Sequence, residues 1–218
     1  MYWRLHPTLH ACIASGRVIL LDVERDRYSA VPTPAAGQII AWLSSGDGSA
    51  APPALMALLR GARCDHSIDP HLSNQQATDV TIPDGLSTQE WAGGTTLTTV
   101  LSVMVAVGST WIDLRTRQLR QILKSRSGRR GRGAKLDELV LGDRARAFAN
   151  ARRWCPIRPN CLLDSLAFDR WLGIPRDITL VFGIVGQPFE AHCWVQSDAA
   201  VLNDSYDRVS RFVPVLSV

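Results

Sequence analysis

The stretch "RPNCLLDSLAFDRWLG" at 158–173 sets Cys161 behind Pro159 and Asn160, at the start of a segment whose apolar residues recur at helical spacing. The first turn of a helix offers unpaired N–H groups and about half a positive charge. Both favour a thiolate over a thiol, so a cysteine placed there has a lowered pKa and a larger nucleophilic fraction at neutral pH. The same N–H groups can cradle the oxyanion that forms when sulfur attacks a carbonyl.

A thiol nucleophile also needs a proton carrier, and the chain has five histidines. His6, His10, His66 and His71 fall in the amino-terminal third, in stretches that read as strand edge or linker. His192 differs, since it opens an apolar strand pattern in "PFEAHCWVQS" and is followed by "VLNDS" with Asp204. If the two segments are antiparallel neighbours joined by "SDAA", Asp204 lands beside His192, fixes its tautomer and stabilises its charged form. Each residue alone also has a structural reading: Cys161 as a small core residue, His192 as a strand histidine, Asp204 as a turn residue. Spacing by itself leaves both readings open.

The elements that must position these residues follow from patterning. Residues 10–31 read as a small meander, "HACIA", "GRVILLDV" and "RYSAV", punctuated by Gly16 and Asp26. Two short helices follow, "PAAGQIIAWLSS" and "PPALMALLRGA", each with proline near its start. Residues 66–93 read as a polar inter-domain connection with one strand, "DVTIP". Two longer helices are expected over 95–124 and 136–153, separated by a basic loop. After the Cys161 helix come strands at "DITLVFGIVG", "AHCWVQS" and "AAVLND". This order is α+β, with a small winged-helix-like unit at 1–85 and a larger domain at 86–218.

Composition narrows the class. With 46% hydrophobic and 20% charged residues the chain can bury a core without disulfide staples. Five scattered cysteines form no C-x-x-C pair of the zinc or thioredoxin kind, which suits a reducing cytoplasm and no metal. The first residues lack a basic segment followed by an apolar run, so no secretory signal is expected. Much of the +4 net charge lies in "KSRSGRRGRGAK" at 124–135, whose Gly and Ser content favours a solvated linker over a nucleic-acid surface. The uncharged run at 91–112 approaches the length of a membrane span, but recurrent Thr, Ser and Gly favour a buried helix.

"NCLLDSLAFDRWL", "LVFGIVGQPFEAHCWVQ" and "VLND" together resemble the transglutaminase-like leader peptidases of lasso-peptide biosynthesis, the B proteins. The Ala191-His192-x-Trp194-Val195 block is the most specific part. The amino-terminal "ACIASGRVILLDVERDRYSAV" resembles the PqqD-like leader-recognition domain fused to some of these proteins. The resemblance implies a transglutaminase/papain-like cysteine peptidase, with Cys161 as nucleophile, His192 as general base and acid, and Asp204 as the orienting residue. It further implies a ribosomal precursor peptide as substrate and an asparagine-synthetase-like macrolactam cyclase as partner. No Walker motif is present, so ATP would enter only through that partner. Cys193 and Gln196 stand where the family pattern has a small residue and a Glu.

A leader peptide could add to an open strand edge by β-augmentation, with Val18, Leu20, Asp22 and Tyr28 as contacts and Trp194 as a further substrate-binding residue. Tethering of this kind raises the local concentration of that bond at Cys161. Two other readings remain: a winged-helix DNA-binding regulator, and an acyl transferase on the same thiol scaffold. No recognition helix rich in Arg, Lys, Asn or Gln is visible over 34–62, which counts against the regulator.

Overall fold

The structure is a computed structural model that describes residues 2–5, 7–31, 33–45, 64–67, 80–84, 95–130, 136–173 and 177–218. Two compact units emerge. The first comprises Met1–Asp79 with Ile184–Glu190 and Val213–Leu216, and the second Val80–Gly183, Ala191–Phe212 and Ser217–Val218.

In the first unit, β1 (Tyr2–Leu5) pairs antiparallel with β5 (Cys64–Ser67). The expected meander forms as β2 (Leu9–Ala14), β3 (Arg17–Asp22) and β4 (Arg27–Ala30), with β3 in the centre. Ser15 and Gly16 both take positive φ, 51° and 71°, the two-residue geometry that matches strand twist and fixes Ala14 opposite Arg17. Helix α1 (Thr33–Ser45) supplies Ala36, Ile39 and Trp42 to a core that also holds Leu5, Leu9, Ala11, Val18, Leu20 and Val31.

The second unit opens on α2 (Leu97–Thr116), whose first turn is capped by Thr96 Oγ1 accepting from Thr99 N–H at 3.2 Å. Then follow α3 (Leu119–Arg130), α4 (Glu138–Arg152) and α5 (Cys161–Leu172). Strands β6 (Thr179–Gly186), β7 (Phe189–Gln196) and β8 (Val213–Ser217) form a sheet in the order β7-β6-β8, with the short α6 (Tyr206–Val209) before β8. Gly183 on β6 lies against the Trp194 indole so closely that a Cβ there would fall 2.6 Å from a ring carbon. No side chain larger than hydrogen fits.

Helices and strands mix as an α+β chain should, but several local expectations fail. The expected 95–124 helix breaks at Arg117, which is extended at φ −128° and ψ 150° while its N–H still bonds the Asp113 carbonyl. No glycine or proline marks the break. The basic 124–135 run is not a solvated linker throughout, because α3 continues to Arg130. Arg126 is 2% exposed and holds Asp169 of α5 through two bonds of 2.9 Å, while its Nη1 donates to the Val218 carbonyl. A buried, paired arginine within a charge run looks in sequence like its solvated neighbours.

The uncharged run does not form the buried helix expected of it, since most of its helix is not buried. α2 packs Val103, Ala106, Val107 and Thr110 inward and leaves Leu97, Leu101, Val105 and Ile112 exposed; by length and composition it could cross a membrane. Residues 80–84, which hold most of "DVTIP", are not in a strand, and "AAVLND" contributes one isolated bridge, Gln196 to Val201. The second expected helix, at 52–62, lies outside the described residues, as do His6 and His71. β1, β5 and β8 are too short to announce themselves.

Removing the Arg126 guanidinium leaves the Asp169 carboxylate buried without a partner, a loss of about 3–5 kcal/mol. Urea unfolding of Arg126→Met is expected to show that drop. Arg126→Met combined with Asp169→Leu should recover most of it, since no unpaired charge remains.

Candidate active site

Cys161 is the first helical residue of α5, and the helix end is built by its neighbour. Asn160, extended at φ −149°, accepts from Leu162 and Leu163 N–H on Oδ1 at 3.0 and 3.3 Å, and its carbonyl accepts Asp164 N–H at 2.8 Å. Gly173 closes the other end in the left-handed conformation, φ 83°. Of the first-turn donors, the N–H of Cys161 itself keeps no acceptor among the described residues.

His192 lies on β7, 5% exposed, with its Nε2 2.6 Å from Asp204 Oδ2. That contact leaves Nδ1 as the ring nitrogen to act on the Cys161 thiol, whose ionisation the imidazole favours. Trp194 stacks near the ring at 6.2 Å and 20°, and Phe212 packs at 5.1 Å, so the imidazole plane is held by apolar neighbours. Asp204 comes from a bend, not a strand end. Ser197 and Ala200 turn the chain back, Leu202 N–H bonds the Val195 carbonyl, and Ser205 N–H bonds Asp204 Oδ1 at 2.8 Å.

Electrostatics make the three groups one unit. Burial opposes the imidazolium, yet its interactions with the acceptors Asp204 and Cys161 outweigh it and raise the His192 pKa to about 9. Burial likewise opposes the thiolate of Cys161, and is outweighed by the hydrogen bond and charge of His192, then by N–H groups of Cys193 and Leu162, so its pKa falls. Asp204 is pushed up by burial and pulled further down by His192, Ser205 N–H and Arg208. The other three cysteines with described side chains all shift the opposite way through burial: Cys12 to about 12, with Cys155 and Cys193 also raised. Cys161 is thus the thiol set apart for ionisation. A thiolate and imidazolium pair of this geometry can attack a carbonyl and protonate the departing amine.

Two residues that sequence reading passed over lock the arrangement. Ser165, fully buried one turn beyond Cys161, donates to the Cys193 carbonyl at 2.9 Å. Asn203 donates from Nδ2 to Ser165 Oγ at 2.8 Å and accepts Val195 N–H on Oδ1 at 2.7 Å. Helix α5, strand β7 and the bend carrying Asp204 meet at this pair. A serine four residues from the nucleophile inside an apolar helix, and an asparagine just before the carboxylate, were the available signals. Cys193 itself is a buried packing residue. Gln196 ties Trp194 Nε1, bonded to its Oε1 at 2.8 Å, to the Thr81 carbonyl, bonded by its Nε2 at 2.9 Å.

The expected peptide contacts fare differently. Val18 and Leu20, 0% and 8% exposed, are core residues of a central strand paired on both sides, so neither offers an open edge. Asp22 accepts the N–H groups of Glu24 and Arg25 and shapes the turn after β3. Trp194 is fully buried behind the imidazole and presents no surface to a substrate. Tyr28 is part-exposed on β4, an edge strand, with its ring 5.6 Å from Phe189.

Iodoacetamide labelling read by peptide mapping is expected to modify Cys161 ahead of Cys12 and Cys193 at pH 7. His192→Ala should slow that labelling by about tenfold or more and move its pH midpoint upward, because the imidazolium that holds the thiolate is gone.

No curated protein sequence and no solved structure matches the chain significantly. A family profile does: the transglutaminase-like superfamily matches residues 102–217, which contain α5, β7 and the Asp204 bend. Its members are typically cysteine-based enzymes, and the order Cys161, His192, Asp204 lies wholly within the matched segment. That match covers more than half of the chain, which therefore belongs to the transglutaminase-like superfamily.

Proposed function

We propose that this protein is a cysteine peptidase that removes the leader of a ribosomally made lasso-peptide precursor before a partner cyclase closes the macrolactam. The observation that carries the hydrolytic half is the 2.6 Å bond between His192 Nε2 and Asp204, together with the mutual stabilisation of His192 and a thiol at a helix N-terminus. The lasso-peptide half rests on the resemblance of the motifs around Cys161 and His192.

In this reading the proton has already left sulfur. The Cys161 thiolate attacks the scissile carbonyl carbon, and the oxyanion meets the N–H of Cys161. Collapse breaks the C–N bond, His192 gives its proton to the leaving amine, and the acyl group stays on sulfur as a thioester. Neutral His192 then takes a proton from water, hydroxide attacks the thioester, and collapse breaks the C–S bond, restoring the thiolate and imidazolium and releasing a carboxylic acid that gives its proton to solvent. Asp204 holds the tautomer throughout and favours the charged ring.

The amino-terminal unit serves as the leader-binding part. With β3 enclosed, an extended peptide would add to an edge strand of the meander, β2 or β4, of which β4 carries Tyr28, and not to the Val18 face. The cyclase is the partner that supplies any ATP-dependent step. Transfer of the acyl group to an amine uses the same thioester, and the product mass separates the two: a gain of water for hydrolysis, an amide for transfer.

Cys161→Ala is expected to abolish cleavage of a cognate precursor, read by mass spectrometry, while leader binding measured by fluorescence anisotropy stays within about twofold. His192→Ala should lower kcat/KM by about 10²–10⁴-fold. The pH profile of kcat/KM is expected to be bell-shaped. Its acid limb falls as Cys161 is protonated, and its alkaline limb falls as His192 loses its proton near pH 9. Asp204→Asn should pull the alkaline limb to lower pH, since the largest force holding the imidazolium is lost while burial remains.

A further inference from the structure

The outer face of α2 is not that of a solvated helix. No charged residue occurs from Trp91 to Ile112, so α2 is uncharged up to Asp113 on the side that meets water as well as on the side that packs. Val103, Ala106, Val107 and Thr110 turn inward, where α2 packs on α4 and α5. Leu97, Leu101, Val105 and Ile112 are each more than half exposed, and at roughly 100° per residue they fall within about 80° of one another on the opposite side. A surface helix of a soluble domain carries charged or polar residues there, so an apolar outer sector marks a helix with a second partner.

The inner face stays engaged while that partner binds. Trp171 Nε1 of α5 donates to Ser102 Oγ at 2.9 Å, Arg170 Nη1 donates to Ser109 Oγ at 2.8 Å, and Arg170 also pairs with Asp113. Crossing a bilayer would break all three and strip the packed face from its core. The outer sector therefore meets its partner side-on, as a ridge about 22 Å long from Leu97 to Ile112.

Charge at one end of the ridge, and the residue types along it, select what covers it. Just past Ile112, Arg115 lies on the same sector with its guanidinium 3.9 Å over the Trp111 ring. Exposed Arg117, Arg120 and Lys124 follow, and Arg117 Nη2 donates to Ser125 Oγ at 3.3 Å, which keeps the start of α3 beside the end of α2. Asp113 is the only acidic residue from 91 to 136, and Arg170 and Arg117 engage it. An aliphatic ridge with a cationic end complements an anionic lipid surface. Acyl chains receive Leu, Val and Ile without a matching groove, phosphates meet the cations, and Trp111 with Arg115 suits the headgroup level. A protein partner would instead seek aromatic or arginine anchors at the patch centre, where α2 has Leu101 and Val105.

We propose that α2 docks this protein on an anionic membrane surface, lying in its plane, with Leu97, Leu101, Val105 and Ile112 in the acyl boundary and Arg115, Arg117, Arg120 and Lys124 facing lipid phosphates. The inference is independent of the peptidase reading, since no residue of the ridge enters the chemistry at Cys161.

Flotation of the full chain with vesicles of phosphatidylcholine containing about one third phosphatidylglycerol should carry it into the lipid layer, with binding about tenfold weaker to phosphatidylcholine alone or in about 0.5 M salt. Leu101→Gln with Val105→Gln should weaken binding about tenfold or more. Arg115→Gln with Lys124→Gln should do so by a similar factor and flatten the salt dependence. Circular dichroism and iodoacetamide labelling of Cys161 should match wild type in both variants, and alkaline carbonate should release the bound wild-type chain. Wild type that stays off anionic vesicles, binding that either folded variant keeps in full, or retention in carbonate overturns the proposal. A wild-type dimer in light scattering that ignores vesicles and becomes monomeric in Leu101→Gln with Val105→Gln also overturns it, and makes the ridge a contact between copies of this chain.

Discussion

Three chain segments that have no local reason to meet are joined by a buried serine and a half-buried asparagine. Ser165 Oγ sits between the Cys193 carbonyl and Asn203 Nδ2, and Asn203 Oδ1 returns to Val195 N–H. Each bond crosses between elements: helix to strand, helix to bend, bend to strand. The nucleophile, the imidazole and the carboxylate each ride on one of these elements. A bond of about 1 kcal/mol net in isolation sets positions here because its loss would leave buried polar groups unpaired. The 2.6 Å contact of His192 with Asp204 depends on that register.

Around this junction the fold uses buried ion pairs where a purely apolar core would serve stability as well. Arg126 binds Asp169 on the far part of α5, and Arg152 binds Asp164 near its start. Both carboxylates belong to the helix that carries Cys161, so the helix is fixed in rotation by two arginines from preceding helices. Burial raises the Asp164 pKa and Arg152 counters it, which keeps the pair matched rather than the carboxyl free. Directional pairs of this kind specify one rotational setting, whereas an apolar face tolerates several.

Ionisation at the site follows from the same geometry. Burial alone would make Cys161 a poor nucleophile, as it does Cys12 and Cys193. What separates Cys161 is position at a helix start beside a ring whose charge is held by Asp204. The pair is therefore coupled: the thiolate helps keep the ring protonated, and the protonated ring keeps the thiolate.

The sequence by itself determined the local features: the Asn160 cap that begins α5 at Cys161, the Gly173 stop, the β2–β4 meander with its tight turn, and the hairpin carrying His192. Each is written in neighbouring residues, through cap chemistry, turn chemistry and period-two patterning. The family resemblance around His192 likewise needed only consecutive residues. Asp204 is carried to His192 by a bend and one bridge, where patterning predicts a paired strand. Only the tertiary structure decided that Arg126 is a core cation and not part of a linker, that Val18 and Leu20 face a core and not a peptide, and that Ser165 and Asn203 share a bond. Those outcomes depend on which residues distant in sequence come within 3 Å of one another. Charge, polarity and spacing along a single chain do not encode that separation, because a buried pair and a solvated pair are spelled with the same letters.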